Sequence, residues 1–254
     1  MTSIFDSAEF NRNLFFPRPD SKPTPDNADD LYVEVEEGVK LHIRRYPHME
    51  ARFSLLYFHG NGEIASDYDD FAEIYHALGA DFVVGEYRGY GKSNGLPTLR
   101  DALKDADRIY KFLKQKGCLK EQVVIMGRSL GSASAIELGA RYPEIAACVI
   151  ESGYADPIPL VQRRGLRIDK TTPEEDALFN NSQKISKLEC PLLIMHGEED
   201  DLIYPHEAEL NFEKAGSETK FLKILPMVGH NDILFAPEQA YFATLASFFN
   251  EVLI

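Results

Sequence analysis

The chain has 254 residues, 44% of them hydrophobic, 11% aromatic and 27% charged, which is enough apolar material for one sizeable core and excludes whole-chain disorder. Lys and Arg number 27 against 41 Asp and Glu, a net charge of −14. That balance argues against a nucleic-acid partner or an anionic membrane surface and favours a neutral, cationic or small-molecule partner.

The opening residues Met1-Thr2-Ser3-Ile4-Phe5-Asp6 lack the basic start and apolar run of a signal peptide, and Thr2 excludes N-myristoylation. No later apolar run approaches the ~20 residues that span a bilayer. No stable membrane anchor is expected. Only Cys118, Cys148 and Cys190 occur, an odd number without Cys-x-x-Cys spacing, so neither a disulfide framework nor a metal site is expected and the cytoplasm is the default compartment. Residues 1–30 read as an extended N-terminal arm, rich in Pro, Asp and Asn from Pro17 to Asp30 and pinned by Leu14, Phe15 and Phe16. Leu31 to Glu36 and Val39 to Tyr46 then alternate apolar and polar residues around Glu37-Gly38, which predicts a half-exposed antiparallel hairpin.

Beyond the hairpin, continuous apolar runs occur at Phe53 to Phe58, Phe82 to Val84, Val123 to Met126, Ala146 to Ile150, Leu192 to Met195 and Phe221 to Leu225. Runs without alternation suit parallel strands covered on both faces. Helical patterns lie between them, from Asp67 to Leu78, Thr98 to Lys116, Ser129 to Arg141, Pro205 to Ala215 and Pro237 to Val252. Thr98 with Asp101 resembles a capping box, and Gly117 a C-terminal stop. The expected fold is a single α/β domain over residues 1–254, a mostly parallel sheet with helices on both faces and an N-terminal antiparallel hairpin. Residues 152–189 interrupt the alternation with three prolines and predict a small helical lid after a strand's C-terminal end.

Gly127-Arg128-Ser129-Leu130-Gly131 fits Gly-x-Ser-x-Gly, which holds a serine at a cramped strand-to-helix turn. Gly91-Lys92-Ser93-Asn94-Gly95 fits it too, but Ser93 sits between Tyr90 and Pro97 with no strand before it and no helix after it. Ser129 follows an apolar strand and opens a helix, so Ser129 is the candidate nucleophile and Ser93 a loop residue. A serine hydroxyl needs an imidazole to take its proton. Of seven histidines, His230 lies in a Gly-rich turn between the last strand and the last helix, where a base is wanted. His59 is expected to brace its own turn, His42, His48 and His76 take ordinary positions, and His196 and His206 could lie near the site. The N–H of Leu130, following Ser129 at a helix N-terminus, is an oxyanion donor.

Together with Leu14 to Pro19, His59-Gly60-Asn61-Gly62, Tyr87 to Ser93 and Gly229-His230-Asn231-Asp232, these residues resemble the α/β-hydrolase superfamily over nearly the whole chain, and within it the small-lid serine hydrolases. The resemblance implies an α/β-hydrolase fold, no cofactor, and hydrolysis of an acyl ester or thioester. It picks Asp200 of the acidic turn Glu198-Glu199-Asp200-Asp201 as the residue that orients the base, with Asp201 and Asp156 as rivals. The order Ser129, Asp200, His230 is the one this fold uses. The resemblance also makes the N–H of Asn61 the second oxyanion donor, so Asn61→Ala is expected to be mild. Amidase or peptidase activity on the same triad, and a non-catalytic binding protein of this fold, are the alternatives. Arg163, Arg164 and Arg167 could meet an anionic group but more simply pair with local acids, and Tyr154, Ile158, Leu160, Leu166 and Phe179 could line an acyl pocket or pack the lid. Relatives that act on palmitoylated membrane proteins carry an N-terminal cysteine cluster, and no cysteine here precedes Cys118. Glu86 stands where relatives more often have Asp, with no consequence visible in the sequence.

Overall fold

A computed structural model describes residues 3–168 and 170–253, in two compact units, Met1–Val124 and Ile125–Ile254. The first unit begins with a 3-10 turn, Ile4–Asp6, and helix α1 (Ala8–Leu14). The arm expected to be extended over residues 1–30 is therefore helical in its first part. The physical reason is tertiary: buried Asn11 donates to Phe5 O and Ser7 O and accepts from Leu99 N–H, while Phe10 and Leu14 are buried. Such a short helix gains its stability from packing, which local sequence does not display.

Strands β1 (Asp29–Glu36) and β2 (Val39–Tyr46) form the expected antiparallel hairpin, with Gly38 at φ +74° in the turn and a bulge between Glu34 and Glu36. Strand β3 (Phe53–Phe58) is buried at every position. A 3-10 run over Ala65–Phe71 leads into α2 (Ala72–Ala77), then β4 (Ala80–Gly85) and α3 (Leu99–Gln115). The Thr98 hydroxyl accepts from Asp101 N–H at 3.0 Å and caps α3. Leu99, Ala102, Leu103, Ala106, Ile109, Tyr110 and Leu113 form its buried stripe. Strand order in this unit is β1-β2-β4-β3, with β3 parallel and β2 antiparallel to β4.

The second unit begins within β5 (Val123–Arg128), at Ile125, and continues through α4 (Ser132–Arg141) and β6 (Ala147–Glu151). Short helices α5 (Pro157–Arg163), α6 (Pro173–Phe179) and α7 (Asn181–Lys184) fill the interval before β7 (Leu192–Gly197). Then come α8 (Pro205–Lys214), β8 (Lys220–Leu225) and α9 (Ala240–Val252). Strands follow the order β5-β6-β7-β8, with β7 parallel to both β6 and β8. β8 ends that order and is only partly covered, unlike the fully buried β5, β6 and β7. The last helical pattern breaks at Glu238 and Gln239, both at positive φ, so α9 starts at Ala240 rather than Pro237. Cys148 and Cys190 are buried thiols, and among the described residues no helix is long and apolar enough to cross a membrane.

Candidate active site

All three residues of the expected relay lie in the second unit and form one hydrogen-bonded chain. Ser129 follows β5 directly and adopts φ +50°, a left-handed conformation that costs a non-glycine residue about 1–2 kcal/mol. The tightness of this turn explains Gly127: a Cβ there would lie 2.2 Å from Gly131 O and 2.8 Å from Ala135 Cβ. Ser132 at the start of α4 donates its hydroxyl to Ser129 O at 2.6 Å and holds the turn from the helix side. Leu130 lies in the first helical turn after Ser129, where amide N–H groups have no intrahelical acceptor.

Two loops carry the other members. After β7, Glu198 N–H and Glu199 N–H donate to Leu225 O and Val228 O, which lashes the acidic loop to the one bearing His230. Gly197 permits that contact, since a Cβ there would stand 2.5 Å from Val228 O and 2.7 Å from Gly229 O. Asp200 is buried and Asp201, Glu198 and Glu199 are exposed. Asp200 Oδ1 accepts from Leu202 N–H and Ile203 N–H at 3.0 and 2.8 Å. Its Oδ2 faces His230 Nδ1 at 2.7 Å, and His230 Nε2 faces Ser129 Oγ at 2.9 Å. Burial pushes the Asp200 carboxyl up, but hydrogen bonds from His196, His230 and the Ile203 amide outweigh it and hold the group well below the usual carboxylate range. An ionised Asp200 only accepts, so Nδ1 of His230 carries a hydrogen and Nε2 is free to accept from the serine hydroxyl. This is the geometry that general-base activation of a hydroxyl requires.

Two buried ionic partners hold the His230 loop in place. Arg128 donates Nη2 to His230 O at 2.8 Å and to Asn231 Oδ1 at 3.3 Å, and its Nε to Glu151 Oε1 at 3.1 Å. Tyr241 of α9 donates to the other Glu151 oxygen at 2.7 Å. Sequence pattern alone does not single out Arg128 and Glu151, whereas His196 is one of the two histidines expected near the site. The available signal was a charged residue closing a continuous apolar strand, which must find a partner once buried. Asp156 caps α5 through Ile158 N–H and accepts from Asn180, so it is engaged away from His230. Arg163 pairs with Glu207 at 2.8 Å and lies over the Tyr204 ring, while Tyr154, Leu160, Leu166 and Phe179 are buried.

In the first unit, the Asn61 carboxamide both accepts and donates. Oδ1 accepts from Phe16 N–H at 2.8 Å and Tyr90 Oη–H at 2.5 Å, and Nδ2 donates to Leu14 O at 2.7 Å. The neighbouring turn is braced by His59, whose ring nitrogens face Gly60 O at 2.8 Å and Glu86 Oε2 at 3.0 Å. Both facing oxygens are acceptors, which favours the imidazolium: burial pulls His59 down, but Glu86 outweighs it and raises it. Glu86 Oε1 also accepts from Ala65 N–H at 2.8 Å, so the departure noted at Glu86 has a structural role in holding this turn. Ser93 is a loop residue whose hydroxyl accepts from His42 N–H at 2.9 Å.

Comparison with known proteins agrees with the fold. Residues 49–170 match the family model described as serine aminopeptidase, S33. Protein bem46 of Schizosaccharomyces pombe is 32% identical over 243 residues, covering 90% of this chain and 80% of that protein. The human alpha/beta hydrolase domain-containing protein 17B is 34% identical over 189 residues, 72% of this chain and 62% of that protein. Among solved structures, the Pyrococcus furiosus esterase Pf2001 superposes with a TM-score of 0.79 at 19% identity, covering 94% of this chain and 100% of that one. Eight strands, mostly parallel after an antiparallel N-terminal pair and accompanied by helices, match that architecture, and with the bem46 relationship they establish that the chain belongs, as a hydrolase, to the α/β-hydrolase superfamily.

Proposed function

We propose that this protein is a metal-independent serine hydrolase of carboxylic esters or thioesters. The observation that carries the reading is the continuous chain Asp200–His230–Ser129, with contacts of 2.7 and 2.9 Å. Ser129 Oγ attacks the acyl carbon as His230 Nε2 takes its proton, and Asp200 keeps His230 in the accepting tautomer and stabilises the imidazolium. The same proton passes to the leaving alcohol or thiol as the acyl-enzyme forms. Water activated by His230 then cleaves the acyl-enzyme and regenerates Ser129.

The alkoxide is stabilised by the N–H of Leu130, a donor of a kind worth about 3 kcal/mol in the transition state. The family resemblance supplies the N–H of Asn61 as the second donor. Amide hydrolysis uses the same parts, and the description of the matched family model favours an aminopeptidase as the second reading. The test is a panel of p-nitrophenyl esters, acyl thioesters and aminoacyl amides of graded chain length, with Ser129→Ala as control. Turnover of esters or thioesters that vanishes in Ser129→Ala supports the proposal. Turnover confined to aminoacyl amides transfers it to the second reading.

A further inference from the structure

His196 is the penultimate residue of β7, fully buried and four residues before Asp200. Its Nε2 lies 2.7 Å from Ile203 O and 3.1 Å from Asp200 Oδ2. A carbonyl oxygen only accepts, so Nε2 carries a hydrogen, shared between the two oxygens as a three-centre donor. Nδ1 is buried with no hydrogen-bond partner among the described residues, and a proton there would be an unpaired buried donor. The neutral Nε2–H tautomer is the form that fits.

The carboxylate of Asp200 is thus surrounded. Leu202 N–H and Ile203 N–H occupy Oδ1, while His230 Nδ1–H and His196 Nε2–H converge on Oδ2. Of the other charged groups nearby, Arg128 of β5 reaches the His230 carbonyl and is balanced by Glu151 of β6, itself held by Tyr241 of α9, and Asp232 of the His230 loop accepts from Gly229 N–H through Oδ1 at 2.7 Å. Glu198, Glu199 and Asp201 point to solvent.

We propose that His196 is a positioning residue of the triad, a second imidazole that fixes the Asp200 carboxylate and, by sharing Oδ2 with His230, sets the pH at which the base becomes available. The inference rests on Ser129, His230 and Asp200 acting as the proposed triad. A donor on Oδ2 draws negative charge away from His230. Without it the carboxylate is more negative toward His230, which then holds its second proton more tightly, and activity sets in at higher pH. The carboxylate also loses one of its four anchors, so the ring it orients is less well placed.

The experiment compares wild type, His196→Phe and His196→Gln in the intact chain, with p-nitrophenyl ester kinetics from pH 4 to 9, fluorophosphonate labelling and thermal melting. His196→Phe keeps a ring but removes the donor. It is expected to lower kcat at least about tenfold, the loss of one hydrogen bond to a charged group, with little change in KM. Its acid limb of kcat/KM is expected to move upward by about one pH unit. His196→Gln returns an N–H near the Nε2 position and is expected to recover most of kcat and the wild-type limb. If His196→Phe does not fold, His196→Asn, whose shorter amide falls short of Asp200, takes its place against His196→Gln. An unmoved acid limb in the variant lacking the donor, or equal losses with and without a restored N–H, overturns the proposal. Activity retained by Ser129→Ala instead overturns the triad reading itself, so the two failures are distinguishable.

Discussion

Replacing Gly127 by Ala tests whether the turn after β5 is as tight as its contacts imply. The new methyl group would meet Gly131 O at 2.2 Å, where atoms in ordinary contact stand about 3.5 Å apart, so the start of α4 must retreat from β5 by about 1 Å. Backbone on the Gly131 side cannot rotate away as a side chain could, and Ser132, which holds the Ser129 carbonyl, would be carried along. Overpacking of this kind costs about 1–3 kcal/mol of stability. That lowers the melting temperature of a chain this size by about 2–12 °C. Misplacing a reacting atom by about 1 Å costs about 100-fold in rate. The assay is the second-order rate constant for fluorophosphonate labelling, measured well below the melting temperature, alongside ester kcat/KM. Gly127→Ala that labels at the wild-type rate while folded would refute both the geometric argument and the assignment of Ser129 to the reacting position.

Asp200→Asn should lower kcat by about 10³–10⁴-fold, because an amide lets the imidazole adopt the wrong tautomer, and steady-state kinetics at pH 7.5 measures it. Because the Asp200 carboxyl is held far below the usual range, it stays ionised throughout the working range, and the acid limb of wild-type kcat/KM above pH 4 should follow a single proton. Asn61→Ala, mild for a backbone oxyanion donor, should still cost stability: it removes the acceptor of Tyr90 Oη–H, one of the two acceptors at Phe16 N–H and a donor to Leu14 O, and differential scanning calorimetry should show a loss of about 1–3 kcal/mol, with faster proteolysis of the first 30 residues. Glu86 is buried, which raises its carboxyl, yet the His42 and His59 rings and the Ala65 amide hold it at about 2 against an ordinary 4.5. Its contribution, at most about 3 kcal/mol, is fully present above pH 4.5 and is lost as pH falls toward 2. Glu86→Gln should therefore be less stable at pH 7 and show a shallower further loss between pH 4.5 and 2, read from urea midpoints across that interval.

Strand positions were legible because burial on both faces writes itself as an apolar run without alternation, as in Val123 to Met126 of β5 and Leu192 to Met195 of β7. Ser129 and His230 were legible for a related reason: a strained turn and a Gly-rich loop impose local residue choices. What escaped notice depends on partners far away in the chain. The helix at Ala8–Leu14 exists because Asn11 reaches Leu99, 88 residues on. Arg128 looked like the variable position of a motif until Glu151 and the His230 carbonyl, 23 and 102 residues away, supplied its partners. Glu86 takes its meaning from His59 and Ala65, 27 and 21 residues away, whereas His196 meets Asp200 and Ile203 only four and seven residues on, in a loop geometry that apolar spacing does not describe. The break at Glu238 and Gln239 left no periodic signature, since apolar spacing continues through it.

The most direct measurement of the central claim is the site and kinetics of the covalent intermediate. Rapid mixing with a p-nitrophenyl ester should give a burst of p-nitrophenol close to one equivalent per enzyme, and acid-quenched protein should carry the acyl group on Ser129 by peptide mass spectrometry. Steady release with no burst and no adduct under single-turnover conditions, or an adduct on any residue other than Ser129, would contradict the account.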